Sequence, residues 1–517
     1  MKDETLYLIA MIVYMAIVIG IGIVFARRAN KSSENYFLGG RSLGPWVTAM
    51  SAEASDMSGW LLMGLPGVAY WYGLADAFWT AFGLAVGTYF NWLIVSKRLR
   101  RYSVQANNSI TLPEFFSNRF REKKKLVMTI AAAFILIFFT VYASSCLVTC
   151  GKLFSTLFGT SYVPMMLLGA LFVLVYTILG GFLAESASDF MQSIVMIVAL
   201  STVVIIGLIT AGGIGAVIDN AKEIPGFLDF FGLANPTMDE AGKQIVENGK
   251  PLFGEALPYG ILTICSMMAW GLGYFGMPQV LLRFMAIRRE DELKRSRRIA
   301  MVWVVISLAV AVFIGIVGRQ IHPTEHLTKA ASENIFITMA TSSLPAILAG
   351  LVMAGILAAT ISSSDSYLLI AASAFAKNIF QGVVKKKATD KQVMLVSRIT
   401  LLAIAAIAIV IALDENSVIF NIVSFAWAGF GATFGPLMLF SLFWKRTTRA
   451  GAIAGMVGGA GMVFLWKLVI SQLGGAFAIY ELLPAFIFSS ICIVVVSLLT
   501  PAPSKEIVED FEMVAQK

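Results

Sequence analysis

Apolar runs long enough to cross a lipid bilayer recur along the whole chain. A transmembrane helix needs about 20 consecutive apolar residues, and thirteen such runs can be placed in the 517 residues. They lie near residues 6–26, 44–72, 76–96, 126–151, 162–183, 189–212, 258–283, 299–318, 343–376, 395–413, 418–444, 449–471 and 478–499. The composition agrees, with 58% hydrophobic residues, 14% charged residues and a mean hydropathy of +0.81. The sequence therefore predicts an all-α integral membrane protein with thirteen transmembrane helices.

The basic residues predict how these spans are oriented. If the N-terminus lies outside, the loops placed in the cytoplasm carry 31 of the 39 Lys and Arg residues. These loops are 27–41, 97–125, 283–298, 377–398, 445–449 and the C-terminal tail. The positive-inside rule then predicts a multi-pass protein of the cell membrane with its N-terminus outside and its C-terminus inside. The first run is too long for a cleaved signal peptide and continues to Arg27 and Arg28, so we expect it to be retained.

Several function classes are disfavoured by the sequence. It contains no nucleophile elbow, P-loop or HExxH motif, so an enzyme is not expected. The net charge of +8 requires no nucleic acid partner, because contact with anionic membrane lipid explains it. His322 and His326 fall in a predicted outer loop, where we expect them to be solvated. No further metal ligand lies near the four cysteines, which are expected to be buried thiols: Cys146, Cys150, Cys265 and Cys492.

A polar stretch interrupts the second apolar run, with the sequence Ser51-Ala-Glu-Ala-Ser-Asp-Met-Ser-Gly59. A carboxylate such as Asp56 is costly at membrane depth and usually faces an internal, hydrated or ion-filled site. Small residues also make a poor helix interior, so we expect the helix to break here and to free backbone carbonyls. The simpler alternative is a kinked helix in which Asp56 pairs with a neighbour. We favour a transport site, because many secondary transporters bind their cargo at broken helices.

A second interruption lies five spans later, at Ala269-Trp-Gly-Leu-Gly-Tyr-Phe-Gly-Met-Pro278. Three glycines and a proline strongly disfavour a continuous helix. Interrupted spans at matching places in successive five-span units predict an inverted-repeat transporter with its site between them. Two unrelated flexible helices are the alternative.

The ninth span supplies oxygen atoms that could bind a cation, within Ala359-Thr-Ile-Ser-Ser-Ser-Asp-Ser366. Ala359, Ser362 and Ser363 share one helical face, and Na⁺ is a hard cation that favours oxygen ligands. Close packing of small side chains between helices also explains such serines. Asp365 is a second acid near membrane depth that needs a partner or a cation.

Four further segments carry expectations of their own. Asp189 is placed near the inner interface, where it could cap a helix together with Ser188. Tyr142 is either an interfacial anchor or part of a cavity wall. The stretch 213–257 is predicted to be an outer loop without chemistry of its own. The tail after Pro501 has mixed charge and is expected to be disordered.

These motifs together resemble the sodium/solute symporter family, most closely its bacterial sodium/proline symporters. The matching segments are 51–66, 270–276, 283–286, 359–366 and 426–431, and the resemblance covers essentially the whole chain. It implies a leucine-transporter-type fold with a ten-helix core in two inverted five-helix repeats, preceded by one helix and followed by two. The implied division is an N-terminal helix and inner loop (1–43), a first repeat (44–212), an outer loop (213–257), a second repeat (258–444) and two C-terminal helices with a cytoplasmic tail (445–517).

The resemblance also implies roles for individual residues. With Na⁺ as the coupling ion, the expected metal ligands are Ala54, Met57, Ala359, Ser362 and Ser363. Residues expected to couple or bind ions are Asp56, Asp189, Asp365 and Ser366. Asp189 could form a second cation site with Ser362, Asp365 or Ser366. The expected substrate-binding residues are Ser58, Gly59, Trp60, Tyr142, Trp270, Tyr274 and Pro278.

The expected function is import of L-proline, a small molecule whose ring suits an aromatic wall and whose carboxylate suits the amides of a restarted helix. Three positions depart from the pattern common among proline symporters: Met277, Gln279 and Tyr367. They leave open a Na⁺ symporter of another amino acid, a betaine or a carboxylate. A transporter-like sensor and a passive channel are more distant alternatives.

Overall fold

The structure is a computed structural model that describes residues 3–29 and 31–516, and their side chains except those of 26–29, 179, 180 and 516. The side chains of Arg27 and Arg28, counted above in a basic loop, therefore lie outside the described residues. The helices up to residue 222 are α1 (Asp3–Ala29), α2 (Ser33–Leu38), α3 (Pro45–Asp56), α4 (Leu65–Tyr72), α5 (Leu74–Phe90), α6 (Ser96–Gln105), α7 (Leu112–Arg119), α8 (Leu126–Phe158), α9 (Tyr162–Thr210) and α10 (Ile214–Lys222).

The remaining helices follow a loop with two short antiparallel strand pairs. The strands are β1 (Gly232–Leu233), which pairs with β4 (Leu257–Pro258), and β2 (Val246–Glu247), which pairs with β3 (Lys250–Pro251). The later helices are α11 (Ile261–Met268), α12 (Pro278–Ala286), α13 (Leu293–Ile321), α14 (Lys329–Ser332), α15 (Ile335–Ser343), α16 (Ala346–Ser373), α17 (Asp390–Ile411), α18 (Ile419–Phe443), α19 (Arg449–Leu468), α20 (Leu482–Leu499) and α21 (Lys505–Gln516). Short π-helical or 3₁₀ segments adjoin several of these helices, for example the π-helical segment Trp60–Gly64 before α4 and the 3₁₀ segment Ala269–Gly276 after α11.

The predicted all-α membrane fold is confirmed. Among the described residues, ten helices are long and apolar enough to cross a membrane, and the bent pair α11 and α12 makes an eleventh. Two more predicted spans correspond to the apolar helix Tyr162–Ile178 and to the interrupted segment 45–72. Neither contains an uninterrupted helix as long as the ten spans above. The total of thirteen depends on those two segments and stays a prediction.

Helix α9 consists of two spans that meet at Gly181. Gly181 has φ of 62° and ψ of 176°, a backbone conformation that glycine adopts much more easily than other residues. The second span therefore begins at Gly181 rather than near residue 189, and Asp189 lies inside the helix. The expectation that Asp189 and Ser188 cap a helix is wrong, because the helix has already begun two turns earlier.

The spans differ in how much of their surface other helices cover. In the most apolar stretches of α16 and α18, 78% and 83% of the residues are buried, compared with 28% in α1, α19 and α20. Helix α16 packs against α9, α8 and α1. The two most enclosed spans therefore form the centre of the molecule, and the first and last spans lie at its periphery.

The basic loops gather at one end of the molecule, which we call the basic end. Arg101 pairs with Glu290 there, and Arg121 pairs with Glu506 and Asp510 of α21 at 2.7 and 2.8 Å. Phe511 of α21 is buried on the same surface. The expectation of a disordered tail is therefore wrong, since a helix whose apolar side chain finds a buried site can order the segment.

Two other expectations about single residues are also wrong. The side chains of His322 and His326 are buried, and His326 Nε2 lies 3.0 Å from Thr338 Oγ1. Burial is the main cause that lowers the pKa of His326 to about 4; the Glu325 carboxylate opposes this shift, and His322 and Arg319 add to it. This side chain is therefore neutral at pH 7. Cys265 is exposed and Cys492 is half-buried, whereas Cys146 and Cys150 are buried as expected.

Three glycines allow α5 to cross the second interrupted segment at very short distance. A β-carbon at Gly87 would lie 2.2 Å from the carbonyl oxygen of Gly271, and one at Gly83 would lie 2.5 Å from that of Met268. Small residues four positions apart permit this kind of close backbone approach in membrane helices. The crossing fixes the position of the segment Ala269–Gly276, which carries residues of the candidate site.

We predict that Gly87→Ala lowers the free energy of unfolding by roughly 1–3 kcal/mol, as overpacking of a tight contact does. The measurement is thermal unfolding of the purified protein in detergent. Gly20→Ala in α1 is the matched control, because no heavy atom lies within 4 Å of its added β-carbon. If Gly87→Ala unfolds at the same temperature as Gly20→Ala, the tight crossing does not constrain the fold.

Candidate functional site

The first interrupted helix breaks where the sequence predicts it. Helix α3 ends at Asp56, and Met57 has φ of −84° and ψ of 71°, outside the helical region. The Trp60 amide donates to Ser58 Oγ at 3.3 Å where the helix resumes. A β-carbon at Gly59 would lie 2.4 Å from Thr149 Oγ1, so α8 passes close to the restart. The break thus places backbone groups of Met57, Ser58 and Gly59 in the protein interior.

The second interruption also breaks its helix, and the two breaks meet at Asp56. The 3₁₀ segment Ala269–Gly276 ends at an extended Met277, Pro278 opens α12, and the two halves are bent by 42°. Tyr274 Oη donates to Asp56 Oδ2 at 2.8 Å, and Gln279 Nε2 donates to Asp56 Oδ1 at 3.3 Å. One part of the simpler alternative, that Asp56 pairs with a neighbour, is therefore correct, because two side chains donate hydrogen bonds to its carboxylate. Those neighbours come from the other interrupted segment, which places both breaks in one site.

Four of the five predicted Na⁺ ligands lie directly against one another. Ser362 Oγ is 2.8 Å from the Ala54 carbonyl oxygen and 3.2 Å from that of Ala359. Ser363 Oγ lies 3.4 Å from the Ala54 carbonyl oxygen. Met57 is buried at the end of α3, three residues after Ala54. The arrangement brings carbonyl and hydroxyl oxygens together across α3 and α16, and it also fits close packing of small side chains.

A buried cluster of acids adjoins this group on the side of α9. Asp189 Oδ2 accepts from Ser51 Oγ at 2.7 Å and from Arg283 Nη2 at 3.2 Å. Glu185 Oε1 accepts from Arg283 Nη2 and from Ser366 Oγ. Ser366 Oγ also lies 3.0 Å from the carbonyl oxygen of Ser362, so the cluster and the predicted Na⁺ ligands are adjacent. Asp365 Oδ1 accepts from the Ser366 amide at 2.8 Å.

The predicted aromatic residues fall into two groups. The Trp60 and Trp270 rings lie 5.5 Å apart, and Phe420 completes this group at 5.8 and 5.4 Å from them. Tyr142 belongs to a separate stack, with its ring 4.2 Å from that of Tyr367. Its burial excludes an interfacial anchor and favours the other alternative, a wall residue. All the aromatic rings named here are buried or nearly so.

Contacts at both ends of the molecule enclose the site. At the end opposite the basic end, Lys152 Nζ lies 2.7 Å from Glu333 Oε2, and the Phe420 amide donates to Glu333 Oε1 at 2.9 Å. At the basic end, Arg41 Nη1 donates to the Met285 carbonyl oxygen at 2.5 Å. Contacts between distant segments therefore flank the site towards both ends of the molecule.

Several residues of the site were given no role in it from the sequence. Arg283 and Glu185 each stand near the end of a predicted span, where a charge is easily assigned to a loop. Gln279 was noted only as a departure, although it donates to Asp56. Ser51 is one of several small residues in its stretch, and nothing in the sequence points to its contact with Asp189. For Arg283 and Glu185, the signal in the sequence was a charged residue near the end of a predicted span, which could have indicated a buried charge.

We predict that Tyr274→Phe lowers the unfolding temperature, because it leaves Asp56 Oδ2 buried without this donor. The loss of a hydrogen bond to a buried charged group costs about 1–3 kcal/mol. Tyr102→Phe is the matched control, since the Tyr102 hydroxyl is buried and has no hydrogen-bond partner among the described residues. Equal unfolding temperatures for the two variants would contradict the stabilising role of the bond to Asp56.

Comparisons with known proteins agree over nearly the full chain. The model of the sodium:solute symporter family matches residues 36–459. The sodium/proline symporter of Haemophilus influenzae is 41% identical, covering 98% of this chain and 97% of that protein. The high-affinity proline transporter PutP of Bacillus subtilis is 40% identical, covering 94% and 97%, and the sodium/proline symporter of Escherichia coli is 40% identical, covering 98% and 95%.

Solved structures share the fold at much lower sequence identity. A Na⁺-coupled sialic acid symporter in an outward-open state has a TM-score of 0.74 at 17% identity, covering 97% of this chain and 99% of that one. A nucleobase-cation-symport-1 transporter in a closed conformation has a TM-score of 0.53 at 14% identity, covering 92% and 98%. Both support the predicted leucine-transporter-type fold. With the match of the family model and the identity to full-length relatives, the chain belongs to the sodium:solute symporter family.

Proposed function

We propose that the protein is a Na⁺-coupled secondary active symporter that imports L-proline across the cell membrane by alternating access. The observation that carries the proposal is identity of about 40% to sodium/proline symporters over nearly the full length of both chains. The meeting of two interrupted helices at Asp56 supports it, because such breaks offer carbonyls to a cation and amides to a carboxylate. As a member of a symporter family, the chain is a transporter rather than an enzyme.

Within this proposal, one Na⁺ binds to the oxygen atoms of Ala54, Met57, Ala359, Ser362 and Ser363. The contacts of Ser362 and Ser363 with the Ala54 carbonyl support this choice, since these atoms already lie within hydrogen-bonding distance across two helices. Asp56 contributes to ion coupling from the adjacent turn. Na⁺ is the cargo and the driving ion, and these neutral oxygens suit a hard monovalent cation.

A second cation site is proposed at Asp189, Asp365 and Ser366, next to Ser362. One oxygen of each acid, Asp189 Oδ1 and Asp365 Oδ2, is buried without a hydrogen-bond partner among the described residues. A buried carboxylate oxygen without a partner is costly, and a bound cation would remove that cost.

The substrate is proposed to lie against Ser58, Gly59, Trp60, Tyr142, Trp270, Tyr274 and Pro278. The indole nitrogens of Trp60 and Trp270 are buried without partners among the described residues, so both can donate to a ligand. Flat aromatic faces suit the proline ring, and the helix restart at Gly59 suits its carboxylate. The contacts of Gln279 with Asp56 and of Tyr367 with Tyr142 favour a second candidate, a Na⁺ symporter of another small solute, because both departures touch residues of the proposed site.

We further propose that the N-terminus lies outside and that the basic end lies in the cytoplasm. The segments 44–212 and 258–444 then act as two inverted repeats around the site. At a membrane potential of about −100 mV one Na⁺ supplies roughly 2.3 kcal/mol. That energy supports about fiftyfold accumulation of substrate before any Na⁺ concentration gradient is added.

The direct test is uptake of radiolabelled L-proline into proteoliposomes, with and without an inward Na⁺ gradient. We expect concentrative uptake that disappears when K⁺ replaces Na⁺, and competition by unlabelled amino acids and betaines defines the specificity. If Na⁺ stabilises the protein against heat but proline is not taken up, the Na⁺ symporter stands and proline is replaced by another solute. Current without accumulation would indicate a channel.

Variants should separate the ion site from the substrate site. We expect Ser363→Ala and Asp56→Ala to raise the Na⁺ concentration for half-maximal uptake by at least about tenfold, the ratio that corresponds to 1.4 kcal/mol. Trp270→Ala should mainly raise the KM for proline, because it removes aromatic surface and a hydrogen-bond donor. Normal transport by Asp56→Ala at low Na⁺ would refute the proposed role of Asp56.

A further inference from the structure

Arg283 of α12 is a buried guanidinium that two acids of α9 share. Its Nη2 atom contacts Glu185 Oε1 and lies 3.2 Å from Asp189 Oδ2. Its Nε donates to Ser51 Oγ at 3.0 Å, and its Nη1 donates to the Gln279 carbonyl oxygen at 3.1 Å. The arginine thus stands between Glu185 on one side and the pair of Ser51 and Asp189 on the other.

The acids around this arginine outnumber it. Glu185, Asp189 and Asp365 all interact electrostatically with Arg283, and none of the four side chains is more than 3% exposed. Buried charges are tolerated when they are paired, and an uncompensated one is strongly destabilising. One guanidinium can neutralise one carboxylate, so which acid it pairs with decides which acids remain available to a cation.

Two of the acids, Glu185 and Asp365, line a small cavity. A space of about 10 Å³ is lined by Glu185 and Asp365 together with Tyr176, Thr177, Gly181 and Leu369. That is close to the least volume that holds one water molecule. Glu185 Oε2 and Asp365 Oδ2 are both buried without a hydrogen-bond partner among the described residues. Each of these two acids therefore has one hydrogen-bonded oxygen and one oxygen without a partner.

We propose that Glu185 is a positioning residue that shares the Arg283 guanidinium with Asp189 and so keeps it from pairing fully with that acid. The remaining oxygens, Asp189 Oδ1 and Asp365 Oδ2, then stay available to Na⁺. The inference rests on the proposed second cation site and adds a residue that acts on that site through Arg283. Glu185 is fixed for this task by two donors to one oxygen, from Arg283 Nη2 and Ser366 Oγ.

Loss of the Glu185 charge has a specific consequence. Asp189 already contacts Arg283. Without the Glu185 charge, the guanidinium could form its full ion pair with Asp189. A full Arg283–Asp189 pair competes with Na⁺ for the same carboxylate, whereas the aromatic residues of the substrate site are untouched. The change should therefore appear in Na⁺ binding and leave proline binding at saturating Na⁺ nearly unchanged.

The test is Na⁺ titration of proline uptake in proteoliposomes, combined with Na⁺-dependent thermal stabilisation of the purified full-length protein, with K⁺ keeping the ionic strength constant. Glu185→Gln should raise the half-saturating Na⁺ concentration roughly tenfold or more with little change in the KM for proline. Glu185→Asp should restore most of the Na⁺ affinity, since it keeps the charge. In the double variant Glu185→Gln/Arg283→Gln, removal of the competing guanidinium should also restore it.

Glu122→Gln is the matched control. Glu122 is buried as well, but its Oε2 accepts a hydrogen bond from the Val127 amide at 2.8 Å, near the start of α8. Its substitution by Gln should therefore leave the Na⁺ dependence unchanged. An unchanged Na⁺ dependence in Glu185→Gln overturns the inference. So does a double variant that binds Na⁺ no better than Glu185→Gln, because Glu185 would then act as a ligand or a packing residue.

A folding defect of Glu185→Gln does not remove the test. The comparison then runs between Arg283→Gln and the double variant, which should share one Na⁺ dependence because Glu185 has no guanidinium left to hold. A further loss of Na⁺ affinity in the double variant overturns the inference. Absence of Na⁺-dependent uptake in the unmodified protein would refute the proposed function instead.

Discussion

A helix that breaks inside a membrane must give new partners to the backbone and side-chain groups that the break leaves without helical ones. In this protein the two broken helices supply partners to each other. Asp56, at the end of α3, receives one hydrogen bond from Tyr274 before the second break and one from Gln279 after it. The close crossing of α5 over the segment Ala269–Gly276 holds that arrangement from the other side. The breaks thereby leave carbonyl oxygens and hydrogen-bond donors in the protein interior, as the proposed ion and substrate sites require.

The second organising feature is the division of charge between α9, α12 and α16. Acids from α9 and α16 share Arg283 of α12, and serines connect them to the carbonyl of Ala54 through Ser362. A change in ion occupancy can therefore reach both interrupted helices through a few hydrogen bonds. The hydrogen-bond partners of Asp56 are the neutral side chains of Tyr274 and Gln279. Arg283, by contrast, has two acidic partners, Glu185 and Asp189. The two parts of the site therefore differ in whether charged groups are paired with each other.

Local features of the sequence predicted much of this arrangement. Both breaks were predictable because glycine, serine and proline are poor helix formers wherever they lie, and the face shared by Ser362 and Ser363 follows from helical periodicity. Partners that come from distant segments were not predictable in the same way. The contact of Gln279 with Asp56 depends on how two breaks are oriented, and the depth of Asp189 depends on Gly181, which continues an apolar run in the sequence. The buried histidines and the ordered α21 depend on surfaces made by other parts of the fold.

Helix α21 has a consequence for how the molecule is made. Its acids pair with Arg121 and Lys445, and Phe511 lies against α6 and α7, so the last helix joins segments separated by more than 300 residues along the chain. Helix α21 follows all the described spans along the chain, so it is synthesised after them. The surface that α21 covers on the basic end therefore stays exposed until α21 has been made and has docked. A truncated or misassembled product would leave buried aromatic surface and unpaired arginines open to quality-control proteases.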